Sequence, residues 1–300
     1  MNEVPAVRGG VAEVGDVRLA YEDLGNPDDP AIVLIMGFAC QLTAWPDEFC
    51  ALLANAGYRV VRFDNRDIGL STKIKARVGG ALAPRMLRYW AGRPSSVPYT
   101  LPDMAADTVG LLDCLGIESA HVVGASMGGM IAQILAAEHP RRVRSLGILF
   151  SSTNQPFLPP PDPRALAALI AKPRGPGREQ VVDMLVKSYQ AISSPKYPEP
   201  EAVVRAQIAA GYDRSYHPAG VIRQLAAAMG TGSLLPYTRR ITAPTVVLHG
   251  KSDPLIRPAC GRAVARAIPN AEIHLISGWA HDLPPQLHAT LTAFLLANMS

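Results

Sequence analysis

Short runs of branched apolar residues recur through the chain at 31–36, 58–63, 120–124, 145–151 and 244–249, and helical patterns fill most of the stretches between them, at 45–56, 101–115, 127–139 and 261–267. A strand that is apolar throughout, instead of at every second position, is buried on both faces, and a helix-length connection lets the next strand run parallel to it. This repeated unit predicts an α/β chain with a mostly parallel sheet covered by helices on both faces. Residues 11–21 alternate around Gly15-Asp16 and predict an antiparallel hairpin at one edge. A last strand at 272–276 and a helix at 285–299 complete the pattern.

The alternation fails between residues 153 and 240, where helical pieces follow one another without a convincing strand. Ten of the chain's 27 prolines lie between Pro156 and Pro200, so the joints there are stiff and irregular. The segment opens directly after one central strand and closes before the next, above the carboxyl ends of the strands where open α/β sheets bind ligands. The expected organisation is therefore a core of residues 1–152 and 241–300 interrupted by a helical cap, 153–240.

At Gly124-Ala125-Ser126-Met127-Gly128 a serine sits between an apolar strand and a helix. Such a sharp turn strains the serine backbone and crowds the positions two before and two after it, and both are glycine here. A serine hydroxyl also needs a base within hydrogen-bond reach and a third group to orient that base. Asp253 follows one strand in Gly250-Lys251-Ser252-Asp253-Pro254, and His281 follows the last strand in Gly278-Trp279-Ala280-His281-Asp282. The other histidines, at 121, 139, 217, 249, 274 and 288, lie in strands, helices or the insertion. Asp282 is read as an ordinary loop residue, because sequence neighbours rarely reach the geometry needed to orient a histidine. The predicted catalytic set is Ser126, His281 and Asp253, in the chain order Ser…Asp…His.

Composition narrows the partners. Twenty-nine basic against 25 acidic residues give a net charge of +4 in short local groups, which argues against nucleic acid. No apolar stretch reaches the ~18 residues that a bilayer span requires, so stable membrane insertion is not expected. Residues 1–5 do not begin a secretory signal, and Cys40, Cys50, Cys114 and Cys260 lack paired spacing; buried free thiols and a cytoplasmic location are expected. No metal or organic cofactor is implied.

With the elbow, the segments Met36-Gly37-Phe38, Trp45-Pro46-Asp47-Glu48-Phe49 and Arg62-Phe63-Asp64-Asn65-Arg66-Asp67-Ile68-Gly69-Leu70-Ser71, and the two later loops, the chain resembles the α/β-hydrolase-fold serine esterases. Within them it is similar to the capped bacterial group that includes aclacinomycin methylesterases. The resemblance implies cleavage of a small-molecule carboxylic ester through an acyl-enzyme on Ser126, with an oxyanion hole formed by the backbone amides of Phe38 and Met127. Many relatives carry histidine where this chain has Met36. Some place the acid after the strand before the cap, where Ser151-Ser152-Thr153 offers no carboxylate. Met36, Phe157, Leu158 and Leu283 are candidate pocket walls for small to medium hydrophobic substrates. Asp64, Arg66, Asp67 and Ser71 are expected to brace the floor of the site, and Trp45 and Trp90 to belong to the core. The same scaffold admits a perhydrolase or acyltransferase, a carbon–carbon hydrolase, or a non-catalytic ligand-binding protein.

Overall fold

The computed structural model describes residues 6–80 and 82–300; the sequence reading of residues 1–5 lies outside them. The strands are β1 (Val7–Val14), β2 (Val17–Leu24), β3 (Ala31–Ile35), β4 (Arg59–Phe63), β5 (Ala120–Ala125), β6 (Val143–Leu149), β7 (Thr245–Gly250) and β8 (Glu272–Ile276). The helices are α1 (Asp47–Ala54), α2 (Leu82–Trp90), α3 (Leu101–Cys114), α4 (Met127–Glu138), α5 (Pro163–Leu169), α6 (Arg178–Gln190), α7 (Glu201–Arg214), α8 (Pro218–Gly230), α9 (Leu235–Thr238), α10 (Pro258–Ala267) and α11 (His288–Met299). One sheet has the order β1-β2-β4-β3-β5-β6-β7-β8. β2 is antiparallel to both β1 and β4, and the other neighbours are parallel.

Successive side chains of a strand point to opposite faces, so each central strand feeds two cores. Val33, Ile35, Val122, Ile148 and Val247 pack with Leu111, Ile131, Leu135 and Val264 from α3, α4 and α10. Ile32, Leu34, Val123, Leu149 and Leu248 pack on the opposite face with Phe49, Leu53, Leu291 and Leu295 from α1 and α11. This double burial explains the continuous apolar runs of β3, β5 and β7. At the edge, β1 is mostly exposed and reads as the alternating hairpin strand.

Helices α5 to α9 all fall between β6 and β7. Their footing on the core is polar and buried. Arg214 at the end of α7 pairs with Asp64 at 2.8 Å, and Arg223 of α8 grips Asp67 through two 2.8 Å contacts. Asp64 also accepts from the amides of Leu42 (2.7 Å) and Leu70 (2.8 Å), so the 64–71 loop is a brace, as the resemblance implies. Helix α2 was not anticipated, and two readings need correction. Trp90, its last residue, is 65% exposed, whereas Trp45 is fully buried against Phe49. All four cysteines are free, but Cys114 is exposed because it ends α3 on the solvent side. Among the described residues no helix is long and apolar enough to cross a membrane.

Candidate active site

Ser126 links β5 to α4 with φ 55° and ψ −120°, a left-handed conformation that costs an L-residue about 1–3 kcal/mol. The surrounding structure holds it there. The Ser126 amide donates to the Leu149 carbonyl at 3.0 Å, and the Ser151 hydroxyl donates to the Ser126 carbonyl at 2.7 Å. A Cβ at Gly124 would strike the Gly128 carbonyl, and one at Gly128 would strike the Ile35 carbonyl, so neither position admits a side chain without backbone movement.

His281 Nε2 lies 3.0 Å from Ser126 Oγ, and His281 Nδ1 lies 2.8 Å from Asp253 Oδ2. A carboxylate only accepts, so Nδ1 carries the ring proton and Nε2 is free to accept from the serine hydroxyl. The other Asp253 oxygen, Oδ1, accepts from the amides of Leu255 and Ile256, each at 2.9 Å. Burial alone would raise this carboxyl, but His281 and His249 outweigh it and hold Asp253 well below the usual carboxylate range. His249 Nε2 donates to the Ile256 carbonyl at 2.8 Å and lies 3.5 Å from Asp253 Oδ2. The Phe150 ring, 4.6 Å from the His281 ring between centroids, gives the imidazole an apolar wall.

The 278–282 loop is tied to the insertion. The His281 amide donates to the Ile192 carbonyl at 3.0 Å and the Ala280 amide to Ser194 Oγ at 2.8 Å. Asp282 accepts from the Ser194 amide at 2.9 Å and from the Ser194 hydroxyl. Burial pushes its carboxyl up to about 6 against those hydrogen bonds and the attraction of His281. Asp282 is therefore an anchor of the histidine loop, a role its sequence context did not disclose.

The loop after β3 passes directly over the serine: a Cβ on Gly37 would stand 3.0 Å from Ser126 Cβ and 3.6 Å from its Oγ. Neither the Phe38 nor the Met127 amide donates a hydrogen bond among the described residues, and both flank this contact. Free amides beside an attacked carbonyl, with the positive end of α4 behind them, suit a developing oxyanion. Of the proposed pocket walls, Met36 is buried and Leu158 and Leu283 are half-buried. Phe157 is corrected: at φ 65° in a proline-rich joint its side chain turns outward and is wholly exposed, so it walls no pocket in this conformation.

A protein family described as alpha/beta hydrolase fold matches residues 30–285. Rhodomycin D methylesterase DauP of Streptomyces sp. (strain C5) is 28% identical over 305 residues, covering 94% of this chain and 95% of that protein. A 2-hydroxy-6-oxononadienedioate/2-hydroxy-6-oxononatrienedioate hydrolase of Burkholderia vietnamiensis (strain G4 / LMG 22486) is 28% identical over 274 residues, covering 89% of this chain and 85% of that one. Among solved structures, the enol-lactonase from Burkholderia xenovorans LB400 superposes with a TM-score of 0.72 over 97% of this chain and 99% of its own, at 24% identity, a likeness of fold.

Proposed function

The chain belongs to the α/β-hydrolase fold family, and from that premise we propose hydrolysis of a carboxylic ester by two-step acyl transfer on Ser126. The single observation that carries this reading is the chain of contacts Ser126 Oγ to His281 Nε2 at 3.0 Å and His281 Nδ1 to Asp253 Oδ2 at 2.8 Å. His281 takes the serine proton as Oγ attacks the ester carbonyl, and Asp253 keeps the imidazole in the productive tautomer and stabilises the imidazolium. The amides of Phe38 and Met127 receive the oxyanion. His281 then returns its proton to the leaving alcohol, and water repeats the sequence on the acyl-enzyme to release the acid.

The insertion, residues 153–240, is a cap over the nucleophile, a reading supported by its anchors on the loop that passes over Ser126 and on the His281 loop. Similarity along nearly the whole length to a rhodomycin D methylesterase supports a methyl ester, with methanol leaving, and a small to medium hydrophobic acid component. Four unpaired thiols support a cytoplasmic location. Carbon–carbon cleavage on the same triad is the second reading, favoured by the similarity to the oxononadienedioate hydrolase.

The test is a fluorophosphonate probe and p-nitrophenyl and methyl esters, run on the wild type and on Ser126→Ala. Labelling and turnover that disappear in the variant are expected. Full activity in Ser126→Ala refutes the assignment, and turnover of vinylogous 1,5-diketones with no turnover of any ester moves it to the second reading.

A further inference from the structure

The oxyanion-side loop is held in a conformation that its own residues do not favour. The Cys40 amide closes a tight turn on the Gly37 carbonyl at 3.4 Å, and Ala39 within it adopts φ 60°, the left-handed region that L-residues avoid. Met36 brings no polar side chain to this loop. Two side-chain amides hold it instead. Asn65 Nδ2 donates to the Met36 carbonyl at 3.0 Å. Gln224, on α8 of the insertion and completely buried, accepts from the Ala39 amide through Oε1 at 3.0 Å and donates through Nε2 to the Arg66 carbonyl at 3.0 Å. Arg66 is itself fixed by Asp107 through contacts of 2.5 and 2.6 Å.

Building on the acyl-transfer reading, we propose that Gln224 is a positioning residue for the oxyanion hole, aiming the Phe38 amide by fixing the Phe38–Ala39 peptide. The Phe38 amide lies one peptide before the pinned one, so the backbone torsions of Phe38 couple the two. If the pinned peptide flipped, Ala39 would relax to negative φ, its N–H would swing away from Gln224, and the Phe38 torsions would shift with it. A neutral carboxamide suits the place because it must accept on one side and donate on the other. A carboxylate would face the Arg66 carbonyl with like charge, and an apolar side chain would leave the half-buried Ala39 amide and Arg66 carbonyl without this partner. The hole is thus completed by an insertion residue 185 positions further along the chain.

Gln224→Met, which keeps the volume and deletes both hydrogen bonds, tests this in the full-length protein with p-nitrophenyl esters and with phenylboronic acid, whose tetrahedral serine adduct places an oxygen in the hole. Misplacing one of two donors should lower kcat roughly 10- to 100-fold and raise the boronate Ki in parallel, while KM stays within about threefold. Adding Ala39→Gly should recover a substantial part of kcat, because glycine takes φ 60° without strain. Unchanged kcat and Ki, a loss confined to KM, or no recovery on adding Ala39→Gly would overturn the proposal. Amide exchange supplies a readout free of activity and of any variant. The Ala39 amide of the wild type should exchange at least ~100-fold more slowly than in an open chain, and unprotected exchange overturns the brace even if Gln224→Met does not fold. A wild type that protects Ala39 yet hydrolyses no ester would refute the acyl-transfer reading and leave the brace standing as structure alone, which overturns the catalytic part of this proposal.

Discussion

Replacing Asp282 by asparagine should make the fold more resistant to denaturation as pH rises, although it removes a carboxylate that accepts two hydrogen bonds. Burial against the insertion holds the folded carboxyl near pH 6, from an ordinary value of 3.8, despite the Ser194 hydrogen bonds and the nearby His281. Below about pH 3.8 folded and unfolded chains both carry the proton, and the group contributes nothing to the balance. Above it the unfolded carboxyl ionises while the folded one keeps its proton, so stability falls until the folded group ionises near 6. A displacement of about 2 units at 1.36 kcal/mol each amounts to ~3 kcal/mol lost by neutral pH. Asparagine has no such linkage: its Oδ1 can accept from the Ser194 amide and its Nδ2 can donate to Ser194 Oγ. Guanidinium unfolding of both proteins, followed by tryptophan fluorescence at intervals from pH 4 to 8, yields the difference between them. That difference should move by about 2–2.5 kcal/mol in favour of Asn between pH 4 and 7, the remainder of the ~3 kcal/mol lying below pH 4, whatever small constant offset the neutral hydrogen bonds add. A difference that stays flat, or that moves in favour of Asp as pH rises, would show that the Ser194 hydrogen bonds outweigh burial and would refute the reasoning.

Asp253→Asn should leave the fold intact and lower kcat by about 10⁴, because the asparagine amide donates where the carboxylate accepts and selects the wrong imidazole tautomer; steady-state kinetics on a p-nitrophenyl ester measures it. Asp253, buried but held below the usual range by His281 and His249, stays ionised through the working range, so the acid limb of log kcat/KM against pH should have a slope of one down to about pH 4. A slope of two there would mean that the acid also titrates. Arg223→Met strands the completely buried Asp67 carboxylate and should destabilise the protein by about 3–5 kcal/mol in urea unfolding, with Asp67→Asn added to it restoring much of the loss. If the single variant unfolds like the wild type, the pair is not what docks α8 on the core.

The parts of the site that could be read from the sequence are those whose requirements are local. A strand, a serine at positive φ and a glycine on either side fit within six residues, and Asp253 and His281 each follow directly on a strand, where the sheet delivers its side chains to one edge. The parts that could not be read depend on partners far along the chain. Gln224 and Arg214 lie on helices whose polar residues have the pattern of a solvated face, and only folding brings them to Ala39 and Asp64. Ser194 sits in a proline-flanked turn with no periodicity, yet it holds the histidine loop through three hydrogen bonds. Helix α2 was missed because it is only nine residues long and carries Pro84 near its start, which reads as a turn although the helix is amphipathic, and Phe157 was misplaced because a hydrophobic residue near a proline joint looks like a pocket wall until its backbone turns it outward.

The insertion reaches the chemistry at two places, and they differ in kind. On the oxyanion side, α7 and α8 are docked by two guanidinium–carboxylate pairs whose acids are completely buried, and by the Gln224 carboxamide between them. Pairs shielded in this way are screened little by salt. On the base side, the anchor is a serine on a carboxyl that ionises near pH 6, beside the histidine that must move a proton. One flank is therefore held by shielded charge pairs that salt weakens little, while the other gains a buried negative charge as the solution becomes neutral. That charge adjoins the His281 loop, where it favours the imidazolium that forms when Ser126 attacks. The residue that lowers the stability of the fold at neutral pH thus adds negative potential where positive charge develops during catalysis, which gives a physical reason for a carboxylate, and not an amide, to stand at position 282.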